Sequence, residues 1–136
     1  MTVVLDTSAV LALYDAGDPD HDAVAALVTT LDEDLVATPL AVAEMDAVVL
    51  ERGGEPARAA LWRDLGSGAF AVRWWADAMG ETLDIARAHP DVGLVDASLV
   101  ALAARVRTQR IATLDHTFQT ITTPDGQPFV MLPDDA

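Results

Sequence analysis

Thr2-Val3-Val4-Leu5-Asp6-Thr7-Ser8-Ala9 opens the chain with the segment on which the reading of the whole sequence rests. Four apolar or β-branched residues in a row suit a short strand buried on both faces, and Asp6-Thr7-Ser8 behind them is a helix-start signal. The same order of buried strand and helical segment recurs along the chain. Leu35-Val36-Ala37 predicts a second strand, closed by Thr38 as a helix cap and Pro39 at the first helical position. Ala69 to Arg73 predicts a third, Ile111-Ala112-Thr113-Leu114 a fourth and Phe129-Val130-Met131-Leu132 a fifth. Helical pattern fills 8–14, 20–31, 39–52, 56–65, 76–88 and most of 92–108, with Gly53-Gly54 and Gly66-Ser67-Gly68 as breaks. Strands alternating with helices or helix pairs imply an α/β fold with a largely parallel sheet covered on both faces. In such a fold the carboxyl ends of the strands share one edge, where open α/β sheets hold their sites. Asp6 and Asp115 each follow a strand directly, so both point to that edge.

Composition narrows the chemistry. The 136 residues, 51% of them hydrophobic, suit one domain over 1–136 with a core of its own. Cysteine is absent, which removes thiolate metal sites and disulfides and fits a cytoplasmic home. All eight basic residues are arginine, so Schiff-base and phosphate-loop lysine chemistry is excluded. With 22 acids the formal charge is -14, which repels a polyanion at long range. A nucleic-acid substrate would therefore need a divalent metal. No signal-like leader and no apolar run of about 20 residues is present, so no membrane association is expected.

Most of the acids read as caps, turns or solvated faces. Four do not. Asp6 and Asp115 are strand-end carboxylates on one sheet edge, and two such groups repel unless a cation lies between them. Asp96 sits between Val95 and Ala97 at the head of the most apolar helix, where an unpaired charge is costly; its other role is the helix cap, with Asp91 as rival cap and supporting carboxylate. Glu44 lies in the apolar run Leu40-Ala41-Val42-Ala43-Glu44-Met45, but Asp46 points about 160° away round the helix, and periodicity does not choose between the two. Carboxylates without a cysteine or a histidine cluster indicate a magnesium or manganese site rather than zinc. Ser8 and Thr113 are placed to orient a carboxylate by hydrogen bonding. Arg105, Arg107 and Arg110 are the candidates for phosphate contact, against a plainer role at a solvated helix end.

Leu5-Asp6-Thr7-Ser8-Ala9, then Glu44, then Val95-Asp96-Ala97-Ser98-Leu99, then Ala112-Thr113-Leu114-Asp115-His116 with Phe118, resemble in order the PIN domain, and specifically the VapC ribonuclease toxins of bacterial toxin–antitoxin pairs. The likeness runs from Val3 to about Leu132. It implies a three-layer α/β/α sandwich with a mostly parallel, about five-stranded sheet. It also implies an acidic quartet of Asp6, Glu44, Asp96 and Asp115 that holds Mg2+, or Mn2+ in its place, supported by Ser8, Thr113 and Asp91. The implied activity is hydrolysis of RNA phosphodiesters by water, leaving 3'-hydroxyl and 5'-phosphate ends. The implied partners are RNA, a cognate antitoxin that silences the enzyme, and a second copy of the chain. Trp62, Trp74, Trp75 and Met79 form a dense apolar set, and adjacent Trp74 and Trp75 cannot both point the same way, so at least one is expected on a surface that a partner could cover. Two alternatives keep the fold: a stand-alone PIN nuclease of RNA processing, and a catalytically inactive binding module. A haloacid-dehalogenase-like aspartyl nucleophile at Asp6 fits less well, because Ser8 stands where a second aspartate is needed and no lysine exists.

Overall fold

The computed structural model describes residues 2–135. Strand β1 (Thr2–Leu5) is followed by helices α1 (Thr7–Tyr14) and α2 (His21–Thr30), then β2 (Asp34–Ala37), α3 (Pro39–Ser67) and β3 (Ala71–Val72). Helices α4 (Ala78–Ala88) and α5 (Gly93–Val106) lead to β4 (Arg110–Ala112), a single 3-10 turn at His116–Gln119, and β5 (Val130–Leu132). The five strands form one sheet in the order β3-β2-β1-β4-β5, every pair parallel. Helices flank it in an α/β/α sandwich. Val4 of β1 pairs with both Val36 and Ile111, which makes β1 the central strand. Among the described residues no helix is long and apolar enough to cross a membrane.

Burial follows composition. Val3, Val4 and Leu5 are buried in the sheet, and in α5 every residue from Ala97 to Ala103 is buried, as expected of a helix apolar nearly all round. Each fully buried Leu or Val contributes roughly 1.5–3 kcal/mol relative to an exposed one. This packing fixes α5 against β1 and so sets the height of its first turn above the sheet edge.

Three boundaries differ from expectation for local reasons. The third strand pairs over Ala71–Val72 only, because Gly68 closes α3 in a left-handed conformation and Ala69 N–H is already committed to Asp64 O of that helix. The break expected at Gly53-Gly54 is confined to Gly54 (φ 74°, ψ -173°), and helical conformation resumes past Pro56 to Ser67. That backbone region is open essentially to glycine alone. Helix α5 starts at Gly93 (φ 83°), and its N-cap is Val92, so neither Asp91 nor Asp96 caps it.

Candidate active site

Each of the four acids reaches the carboxyl edge of the sheet on a different segment. Asp6 follows β1, and its backbone N–H bonds Ala112 O (3.0 Å), extending the β1–β4 pairing past the last strand residue. Glu44 stands in the second turn of α3, Asp96 in the first turn of α5, and Asp115 ahead of the 3-10 turn. All four line one cleft of about 490 Å³, together with Thr7, Ser8 and the Val92–Val95 stretch. Among the described residues no arginine or histidine lines it.

Hydrogen bonds hold the acids from behind. Ser8 Oγ (2.7 Å) and Thr113 Oγ1 (2.8 Å) both donate to Asp6 Oδ2, leaving Oδ1 outside these bonds. Asp6 stands at the N-cap position of α1, but its side chain makes no capping hydrogen bond to that helix. Ser8 Oγ also accepts Leu114 N–H (2.9 Å), and Thr113 Oγ1 accepts Asp115 N–H (2.9 Å), so the two hydroxyls expected to orient a carboxylate tie the β1 and β4 ends together. Asp115 does cap: its Oδ1 accepts from Thr117 N (2.9 Å) and Thr117 Oγ1 (2.6 Å), while Oδ2 takes neither bond. Thr38, the N-cap of α3, accepts Ala41 N–H and is bonded through Oγ1 to Ser98 Oγ at 2.8 Å, both side chains fully buried. Ser98 Oγ donates to Val95 O (2.6 Å), so the bond between the hydroxyls is donated by Thr38. It joins the helix that carries Glu44 to the helix that carries Asp96. Thr38 is legible in the sequence as a cap, but its pairing with Ser98 over 60 positions leaves no local signal.

The electrostatics are those of crowded carboxylates. Burial raises the Asp96 carboxyl to about 7, and the charges of Asp6, Asp115 and Glu44 add to the shift. Burial also pushes Asp6 up, against the hydrogen bonds from Ser8 and Thr113. The choice between Glu44 and Asp46 is decided: Asp46 turns away and accepts both Nε and an Nη of Arg58 (3.0 and 3.1 Å) and Trp62 Nε1 (2.6 Å), which hold its carboxyl below the ordinary range.

Other expected site residues lie elsewhere. Asp91 is exposed in the turn before α5 and does not line the cleft. Arg105 and Arg107 lie nine and eleven residues beyond Asp96, so the helical rise of about 1.5 Å per residue sets them toward the far end of α5, roughly 13 Å and 16 Å away along its axis. Arg105 rests over the Trp75 ring (5.7 Å), and Arg107 ends the helix in a left-handed conformation. Arg110 enters β4 at its amino end and is bound by both oxygens of Glu33 (2.8 Å each). None of the three reaches the cleft.

As placed, no three histidine, cysteine, aspartate or glutamate side chains among the described residues are close enough together to hold a metal ion. The donor set still fits a hard cation: four carboxylates and hydroxyl oxygens without nitrogen or sulfur. Thr7 Oγ1, buried in the cleft lining, has no hydrogen-bond partner among the described residues, an orphaned oxygen of the kind a hydrated cation satisfies.

The family model for the PIN domain matches residues 3–123. The chain belongs to the PIN-domain family. This PIN domain is 36% identical over 135 residues to Ribonuclease VapC26 of Mycobacterium tuberculosis, covering 96% of this chain and 100% of that protein. Among solved structures it resembles Mycobacterium tuberculosis VapC20, described as a Sarcin-Ricin loop cleaving toxin, with a TM-score of 0.79 at 21% identity over 87% of this chain and 93% of that one. It also resembles FitAcB from Neisseria gonorrhoeae, with a TM-score of 0.53 at 21% identity over 85% and 88% of the two chains. At that identity the two solved structures attest the fold. The homology to VapC-type ribonuclease toxins supports hydrolase activity and a nuclease function of the toxin–antitoxin kind for this PIN domain.

Proposed function

We propose that this protein is a magnesium-dependent endoribonuclease, with Mn2+ able to replace Mg2+, that acts in the cytoplasm as the toxin of a toxin–antitoxin pair. The supporting observation is that Asp6, Glu44, Asp96 and Asp115, from four separate segments, line one cleft without a basic residue to neutralise them. These four side chains would hold the cation. A bound divalent ion supplies Lewis acidity, offsetting phosphate charge and making the attacking water more acidic. The chain's own contribution is orientation. Ser8 and Thr113 fix the Asp6 carboxylate through Oδ2, Thr117 fixes Asp115 through Oδ1, and the Thr38–Ser98 bond ties the helix that carries Glu44 to the helix that carries Asp96. Asp96, raised to about 7, carries a proton for a substantial fraction of the time at neutral pH while the cleft holds no cation.

The same reading takes residues 1–136 as one domain, working as a homodimer and silenced by an antitoxin. Trp62 is 55% exposed, and Val72, Trp74 and Met79 are exposed as well, while Trp75 packs against the core and donates to Glu81 Oε2 (2.8 Å). One member of the Trp74–Trp75 pair thus faces solvent, and the exposed set is apolar surface for a partner. The experiment is cleavage of RNA oligonucleotides by purified protein in Mg2+ and in EDTA, with end-group mapping. Cleavage that needs Mg2+, leaves 3'-hydroxyl ends and is lost in Asp96→Asn is expected. Cleavage indifferent to EDTA or to that substitution would overturn the assignment of the site.

A further inference from the structure

We propose that Thr38 and Ser98 are positioning residues for the cation site: through the bond between their hydroxyls they pin the first turn of α5, and with it Asp96, to the end of β2. This rests on the reading of the acid cleft as a cation site. The turn has little of its own to hold it. Val92, at the N-cap, has no side-chain oxygen to offer, and Gly93 enters the helix through a left-handed conformation (φ 83°) with nothing within 4 Å of where a Cβ would stand. Burial sets in abruptly along α5. Val92 to Asp96 are exposed or half-buried, whereas every residue from Ala97 to Ala103 is buried. The stretch that lines the cleft is therefore the least anchored part of its helix.

The hydroxyl chain supplies the missing hold. Thr38 follows β2 directly, is fully buried and accepts Ala41 N–H at 3.2 Å, so its place is set by the sheet edge and not by α5. Its Oγ1 donates to Ser98 Oγ (2.8 Å), and Ser98 Oγ donates in turn to the carbonyl of Val95 (2.6 Å), directly before Asp96. Ser98 stands about 200° round the helix from Asp96, so holding it on one face fixes the direction of the carboxylate on the other. Nothing in the helix itself calls for that serine. Ala97 and Leu99 to Ala103 around it are apolar, and alanine would be the better helix former, with no polar atom to satisfy. What a hydroxyl adds over a methyl here is the acceptor for Thr38 and the tie to Val95.

The test compares wild type with Ser98→Ala and with Thr38→Ser, which keeps the hydroxyl. Mg2+ binding is read from the rise of the melting temperature with Mg2+ at constant ionic strength, and the turn from amide hydrogen exchange without metal. Absence of any saturable Mg2+ effect in wild type would overturn the cation reading and this inference with it. Where wild type binds, Ser98→Ala is expected to weaken Mg2+ about tenfold, the scale of one buried hydrogen bond, and to need about tenfold more Mg2+ for half-maximal RNA cleavage. The amides of residues 97–99, which bond to carbonyls of the first turn, are expected to exchange about tenfold faster, and those of Leu102 and Ala103 at the wild-type rate. Thr38→Ser is expected to match wild type in every measurement. Unchanged Mg2+ affinity in Ser98→Ala, a loss of the same size in Thr38→Ser, or equally faster exchange along the whole of α5 would each overturn the positioning role while leaving the cation site intact.

Discussion

At Asp96 burial and three neighbouring acids act in the same direction, raising its carboxyl from the ordinary 3.8 to about 7. Because the folded protein then holds this proton more tightly than the unfolded chain, stability falls as pH rises from about 4 to about 7 and levels off above. Thermal melts in EDTA at constant ionic strength should show that decline in wild type and a flatter profile in Asp96→Asn; equal slopes would refute the assignment of the shift to this carboxyl. The same variant should lose about a hundredfold or more in cleavage, the scale of removing one charge-stabilising group from a reaction centre. Two positions further down α3 lies a control for charge alone. Glu44→Gln should depress cleavage, whereas Asp46→Asn, which breaks a partly exposed pair with Arg58, should keep kcat within about twofold and cost at most about 1 kcal/mol in denaturant unfolding. Three of the four acids could be read from the sequence because each interrupts an apolar run at a strand end or helix head. Glu44 could not be separated from Asp46, since the residue that claims Asp46 is Arg58, twelve positions away across a bend. Arg105, Arg107 and Arg110, the candidates for phosphate contact, stand away from the cleft because the length of α5 separates the first two from Asp96 and Arg110 enters β4 at its amino end.

Among the elements, α3 depends most on a single backbone conformation. Its halves meet at Gly54, whose φ and ψ suit glycine alone, so Gly54→Ala should cost about 1–3 kcal/mol with little change in what lines the cleft. Guanidinium unfolding checks the first part and kcat the second. A loss of activity without a loss of stability would show that the bend positions Glu44 rather than joining two helices. The element order was legible from alternating apolar runs and breakers, and so was the cap at Thr38 with Pro39 behind it. Strand ends were not. Residues 69 and 70 have the composition of a strand, but Ala69 spends its N–H on the helix before it, and only pairing with β2 determines which residues count as β3. The start of α5 escaped for a related reason: Asp91 and Asp96 are better caps by type than Val92, and the left-handed Gly93 overrides preference by geometry.

For the whole molecule, crowding four acids at one sheet edge without a basic partner weakens the metal-free protein, so an ion that binds only the folded state should stabilise it. At a concentration of about 100 Kd the gain is about 2.7 kcal/mol. The melting temperature should therefore climb with Mg2+ in wild type and much less in Asp6→Asn/Asp96→Asn at matched ionic strength; parallel climbs would indicate general salt screening. The parallel sheet was legible as a class, but the placing of the first strand at its centre was not, because strand order is set by crossovers that leave no trace in periodicity. That placing bears on synthesis. The first strand to leave the ribosome is flanked in the finished sheet by β2 on one side and by β4 on the other, and β4 begins at Arg110. Until that late strand emerges, β1 has one open side, the Ser8–Thr113 tie is missing and Asp115 has not arrived. Until residues 110–115 have emerged the chain cannot bring all four acids to one cleft, so the site is completed only late in synthesis.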